Sequence, residues 1–184
     1  MKEILQKVID RQAEGVAFHN EMADYYDFLC LEGFVCLHKY QFIEEAENLR
    51  NMKHFYIDYY KTVPVMAKIE NKISIIPQDW SKHESTEITS TSLRSLTKTS
   101  LELYLNWEKE TSKLYQECLK ELREEDCLAE YYEVLELNED VEKEICEIKN
   151  LMIDLQMIDY DCKEIKNLQY KLKKDHKKHK CHMK

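Results

Sequence analysis

Turn-formers are scarce: the 184-residue chain holds 2 glycines and 2 prolines. A sandwich, a barrel or a doubly wound sheet needs more tight turns than that supply allows, so one domain of long helices is the architecture left. Long apolar runs are missing too. Even the stretch from Phe28 to Leu37 is broken by Glu32 and Gly33, well short of the ~20 residues a membrane span requires. The N-terminus lacks the apolar core of a signal peptide, and the expected location is cytoplasmic. The seven cysteines (Cys30, Cys36, Cys118, Cys127, Cys146, Cys162, Cys181) are odd in number and contain no Cys-x-x-Cys. That excludes a disulfide framework and a zinc site of the usual spacing, and predicts mostly reduced, small core residues. Positive charge is in deficit, with 27 Lys and Arg against 36 Asp and Glu, a net −9. Such a balance argues against a phosphate backbone as the main partner.

What is present suits a packed helical core. Hydrophobic residues make up 43% of the chain, including 12 Tyr and 5 Phe, and charged residues 34%, which is enough to fill a core and coat it. The charge is uneven: residues 171–184 carry seven Lys and one Asp, +6, so residues 1–170 carry −15. The expected organisation is therefore a bundle over 1–170 and a basic His/Lys-rich tail over 171–184. A solvated end is the simplest reading of that tail. Two others are soft-metal binding through His176, His179, Cys181 and His182, and nucleic-acid contact through its lysines.

Four helix-period stretches can be traced, about 2–31, 34–61, 92–123 and 127–159, with a shorter helix expected at 160–173. The first aligns Leu5, Ile9, Gln12, Val16, His19, Ala23, Tyr26 and Cys30, with Gly33 marking the turn after it. The second aligns Phe34, His38, Phe42, Glu45, Leu49, Met52, Tyr56 and Tyr59, and stops before Val63-Pro64. The third aligns Leu101, Tyr104, Glu108, Thr111, Tyr115, Cys118 and Leu122; the fourth aligns Leu128, Tyr132, Leu135, Glu139, Glu142, Cys146 and Ile153. Stretches one and two are joined tightly, as are three and four, while residues 62–91 form a long connection. Those lengths predict an antiparallel four-helix bundle with one long crossover between its second and third helices. The doublets Tyr25-Tyr26, Tyr59-Tyr60 and Tyr131-Tyr132 are expected as packing and interface residues.

Each stripe is interrupted near its middle by polar residues: Gln12 and His19, Glu45, Glu108, then Glu139 and Glu142. A carboxylate in an apolar bundle centre is strongly disfavoured unless a cation, a metal or a proton compensates it. A single glutamate at the edge of a stripe can reach water along its own stem. Interruption of all four stripes favours a shared site, and carboxylate oxygens with an imidazole or amide suit iron or manganese better than a thiolate-preferring metal.

Two windows carry a family likeness. One holds Glu32-Gly33 followed by Glu44-Glu45-x-x-Asn48; the other is Asn138-Glu139-Asp140-Val141-Glu142-Lys143-Glu144, with Trp107-Glu108-Lys109 between them. In order, spacing and crossover position the chain resembles the bacterial non-haem ferritins of the ferritin-like superfamily. The resemblance implies iron storage, with Fe(II) oxidised by oxygen or peroxide at an intrabundle site, in a homo-oligomer. It implies that Glu45 is the metal-bridging glutamate and Glu108 the third-helix ligand. Glu44, Glu139 and Glu142 correspond to acidic residues of a nearby third iron site. Three family ligands are replaced, by Gln12, Asn48 and Lys143, which lowers the negative charge of the centre. His19 falls where the family has a tyrosine and is expected to reach a metal held by Glu45 and Glu108, or else to bond Glu108 in a metal-free core. Lys143 likewise has the alternative of pairing with Glu108 or Glu139. Three functions stay open: a ferroxidase with an altered di-iron centre, a catalytically degenerate bundle kept as a structural or interaction subunit, and an interaction bundle whose basic tail tethers DNA.

Overall fold

The computed structural model describes residues 1–65 and 88–179, with side chains through residue 174. They form α1 (Lys2–Phe28), α2 (Glu32–Tyr60), α3 (Ser90–Glu124), α4 (Leu128–Met157) and α5 (Cys162–His179). The fold is the expected all-helical bundle of four long helices with a fifth, shorter one. Residues 66–87 of the expected crossover, and Cys181 and His182 of the tail, lie outside the described residues. The first part of the tail continues α5 as helix as far as His179.

Three tight turns share one construction. At each, a backbone N–H reaches the carbonyl five residues back: Leu31 to Tyr26, Cys127 to Leu122, Tyr160 to Leu155. The residue before each donor, Cys30, Asp126 or Asp159, is left-handed, with φ of 58°, 56° and 49°. This is the Schellman closure, built here without glycine at a cost of roughly 1–2 kcal/mol per left-handed residue. The turn predicted at Gly33 therefore centres on Cys30 instead. Gly33 lies inside the first turn of α2, where a Cβ would meet the Gln169 backbone oxygen at 2.1 Å, so its missing side chain admits α5. At the far end of α2, Lys61 closes the helix with φ 53°, its N–H bonding the Ile57 carbonyl. Gln6 then pairs both ways with the Val65 backbone at 2.9 Å, fixing the start of the crossover against α1. Thr89 and Ser92 form a capping box that starts α3.

The core is in two parts. One cluster, with Phe18, Met22, Tyr26, Phe34, Leu101, Tyr104, Ile148 and Leu155, lies toward the α1–α2 turn and takes in Ile165 of α5. The other, with Leu5, Ile9, Met52, Tyr56, Tyr115, Leu122, Val134, Val141 and Ile145, lies toward the α3–α4 turn. Between them α1 and α3 turn inward the buried polar residues Gln12, His19, Glu108, Thr111 and Ser112. Apolar burial at ~25 cal/mol per Å² holds both ends, so the middle can carry groups that pack poorly in hydrocarbon.

The third predicted stripe is buried along its whole length, and the first from Leu5 to Tyr26 apart from the half-buried Val16, whereas Cys30 is exposed. The fourth is out of phase. Leu128, Tyr132, Glu139, Glu142, Cys146 and Ile153 are exposed, and Val134, Val141, Ile145, Ile148 and Leu155 face the core. Only Cys118 and Cys127 among the described cysteines are buried, fewer than expected. Of the tyrosine doublets, Tyr25 and Tyr26 pack inside, while Tyr59 and Tyr132 stand 53% and 64% exposed.

Candidate metal centre

The centre is built around Glu108. The stripe that buries Tyr104, Thr111 and Tyr115 of α3 carries Glu108 with it, and neither carboxyl oxygen finds a hydrogen-bond partner among the described residues. From α1, His19 brings Nε2 to 3.7 Å from Glu108 Oε1. From α4, Glu144 joins them, so that one ligand atom from each of His19, Glu108 and Glu144 lies within 4.8 Å of the others. Gln12, about two helical turns before His19, is 1% exposed, and neither of its amide atoms is partnered among the described residues. Buried polar atoms left unpaired are uncommon and costly, and several in one layer mark a place where something else supplies the partner.

Glu45 enters from α2, where Gly15 of α1 makes room: a Cβ on Gly15 would lie 3.1 Å from the Glu45 carboxyl carbon. Burial, and after it the nearby Glu108 carboxylate, push the Glu45 carboxyl up to about 8, against the opposing charge of Arg11. Burial raises Glu108 to about 8 as well, again opposed by Arg11. Glu144 is raised well above the usual carboxylate range by burial and then by Glu108, Glu45 and Glu44. His19 moves the other way, down to about 3, because burial outweighs the Glu44 carboxylate. Without a cation, then, Glu108 is largely protonated and His19 neutral at neutral pH, so their 3.7 Å contact is not an ion pair. A neutral imidazole is also the form that donates to a metal.

Arg11 is held rigidly beside this layer. Its Nε donates to Thr111 Oγ1 at 2.8 Å, Nη2 donates to the Trp107 carbonyl at 2.9 Å, and the guanidinium lies 3.4 Å above the Trp107 ring. Tyr104 Oη approaches Glu144 Oε2 at 3.4 Å. On the outer side of Glu144, a pocket of about 420 Å³ between α2 and α4 is lined by acids including Glu44, Glu47, Asp140 and Glu147.

The sequence-predicted residues fall in three places. His19, Glu45 and Glu108 stand in the polar layer. Glu44 lines the outer pocket and accepts a hydrogen bond from Tyr40 Oη; Asn48 lines the same pocket. Glu139 and Glu142 are exposed on α4, the latter accepting from Ser112 Oγ at 2.5 Å. Lys143 also lines this outer pocket, where it pairs with Asp140 at 2.8 Å rather than with Glu108 or Glu139. Its neighbour Glu144, which the sequence reading passed over, provides the inward carboxyl of α4. Arg11 and His38 were missed as well. His38 sat on the predicted stripe of α2 as filler, and only the packed helices bring it against His19.

No protein-family model matches the sequence, and no curated protein matches it significantly. Solved structures do. An open-pore ferritin from the hyperthermophilic archaeon Archaeoglobus fulgidus superposes with a TM-score of 0.74 at 18% identity, covering 94% of this chain and 95% of that one. An engineered closed form of the same ferritin gives 0.74 at 18%, covering 94% of each chain, and a humanized archaeal ferritin gives the same values. Agreement over nearly the whole of both chains at that identity is agreement in backbone architecture: the chain is a ferritin-like four-helix bundle.

Proposed function

We propose that this chain binds iron in the polar layer of the bundle, taking up Fe(II) as the cargo of an iron store and oxidising it there with oxygen or peroxide. The observation that carries the reading is Glu108, fully buried with both carboxyl oxygens unpartnered among the described residues, beside His19 and Glu144. The His19 imidazole and the Glu108 and Glu144 carboxyls, with the Glu45 carboxyl near Glu108, make a donor set that suits Fe(II) and compensates the charges that burial otherwise suppresses. Glu45, Glu108, Glu144 and His19 would hold the ion, and Glu44 and the other acids of the outer pocket would draw cations toward Glu144. The ferritin neighbours support iron as the cation. A homo-oligomer in the cytoplasm is part of the same proposal.

A second reading has its own observation. Arg11, anchored beside Glu45 and Glu108, lowers the cost of a metal-free layer and favours a structural or interaction subunit. Anaerobic Fe(II) titration followed by exposure to air, with a Glu45→Ala/Glu108→Ala double variant alongside, separates the two. Stoichiometric binding and accelerated oxidation that disappear in the variant support the iron reading. Oxidation no faster than in buffer, with a variant as stable as the parent or more so, supports the metal-free one.

A further inference from the structure

His19 has a partner on the side away from Glu108. Its Nδ1 lies 3.0 Å from His38 Nδ1 of α2, and both rings are fully buried. His38 is clamped: Tyr26 stacks on it at 5.3 Å and 13°, and Tyr104 stands edge-on to both imidazoles. Tyr26 is itself fixed by its Oη contact to Ser100 Oγ at 2.7 Å and by the stacked ring of Phe34.

Two like nitrogens at hydrogen-bond distance share one hydrogen, so one ring donates and the other accepts. A metal facing Glu108 and Glu144 needs the lone pair of His19 at Nε2, which leaves the hydrogen of the neutral ring on Nδ1. That hydrogen points at His38 Nδ1. From this geometry we infer that His38 is the positioning residue of the centre: by accepting the His19 Nδ1–H, it holds His19 as an Nε2 donor and gives the site an imidazole ligand delivered from α1. The inference rests on the iron-binding reading above. Acceptors in this position orient the ring and raise its basicity, and their loss typically weakens metal affinity 10–100-fold.

The test uses the full chain, with anaerobic Fe(II) and with Co(II) as a spectroscopic probe, in the parent and in His19→Ala, His38→Leu, His38→Asn and Phe34→Leu. The expected parent Co(II) form shows one paramagnetically shifted, solvent-protected imidazole N–H proton, which His19→Ala abolishes. His38→Leu should weaken Fe(II) and Co(II) binding roughly 10–100-fold and expose that proton to exchange. His38→Asn, which puts an acceptor oxygen near the former Nδ1, should restore most of the affinity. Phe34→Leu, which loosens the same aromatic stack but keeps the His38 acceptor, should lower the melting temperature and weaken binding by much less than His38→Leu does. Binding by His38→Leu equal to the parent, or a Phe34→Leu loss as large as that of His38→Leu, overturns the inference alone. So does a parent Co(II) form without the protected proton, which needs no variant to fold. A parent that takes up neither Fe(II) nor Co(II) overturns the iron-binding reading and this inference with it.

Discussion

Gly15 of α1 and Glu45 of α2 lie in contact across the bundle, with so little room that a Cβ on the glycine would sit 3.1 Å from the glutamate carboxyl carbon and 3.3 Å from its Oε2. A glycine in mid-helix costs about 1 kcal/mol relative to alanine, so this one is retained against local propensity. The atoms it meets are the far end of a flexible side chain, which can swing aside. Gly15→Ala is therefore expected to raise the melting temperature of the metal-free protein by a few degrees while displacing the Glu45 carboxyl and weakening Fe(II) binding several-fold. Calorimetry with chelator present and an anaerobic Fe(II) titration measure the two effects. Unchanged binding in the alanine variant would remove Glu45 from the centre.

Burial of Glu108 ties stability to pH. Its carboxyl titrates at about 8 in the folded chain against 4.5 for an ordinary glutamate. The unfolded state thus releases its proton first as pH rises. The stability contributed by keeping the group neutral is complete below about 4.5 and is lost as pH climbs through about 8, at no more than about 1.4 kcal/mol per pH unit. Glu45 acts in the same window and the same direction. In chelator, the melting temperature should fall between pH 6.5 and 8.5, above the range in which the buried His19, lowered from 6.5 to about 3, acts in the opposite direction, and Glu108→Gln should flatten that slope without removing it. A slope identical to the parent's would show that Glu108 ionises freely. Fe(II) binding should strengthen over the same range, because the ion displaces those protons.

The acidic run on α4 makes a sharp contrast between neighbours. Glu144 shares the polar layer with His19 and Glu108, while Glu139 and Glu142 are exposed. Glu144→Gln is expected to lower Fe(II) affinity at least tenfold; Glu139→Gln should change it less than twofold, and Lys143→Gln, which removes a positive charge from the outer pocket, should not lower it. Isothermal titration of the three variants reads this directly, and equal losses in all three would reassign the inward position of α4.

That contrast also marks where the sequence was legible and where it was not. On α3 one phase is plain: Leu101, Tyr104, Tyr115, Cys118 and Leu122 are apolar or aromatic at helical spacing, and Glu108 falls on their line. On α4 apolar residues fall on more than one line. Leu128, Tyr132 and Leu135 suggest one stripe, which turns acidic at Glu139 and Glu142, while Val134, Leu137, Val141, Ile145, Ile148 and Leu155 make a second line that stays apolar throughout. Packing buries the second set, and the shift of phase leaves Glu139 and Glu142 exposed and brings Glu144 to the inner edge of α4. The His19–His38 pair was out of reach for a different reason. Each residue sits on its predicted stripe, but periodicity fixes a face and not the partner across it.

The contact of Gly33 with Gln169 is tight enough to decide whether α5 stays docked. A Cβ on Gly33 would lie 2.1 Å from the Gln169 carbonyl oxygen and 2.5 Å from its Cα, both backbone atoms that no side-chain rotation can move away. Ile165, fully buried, and the partly buried Leu168 and Leu172 hold α5 to the cluster at the α1–α2 turn. Burying a side chain such as Ile165 is worth about 1.5–3 kcal/mol. The ion pair of Lys173 with Glu32 adds little, because its glutamate is largely exposed. Gly33→Ala should therefore push α5 off α2 and forfeit a few kcal/mol, while the polar layer, built from the middles of α1 to α4, keeps its metal affinity. Hydrogen exchange should then accelerate across residues 162–174 and leave the amides around Glu108 protected. If α5 retains its protection in the alanine variant, the two helices can separate by the necessary ångström or so without losing their apolar contact, and Gly33 is not what docks it.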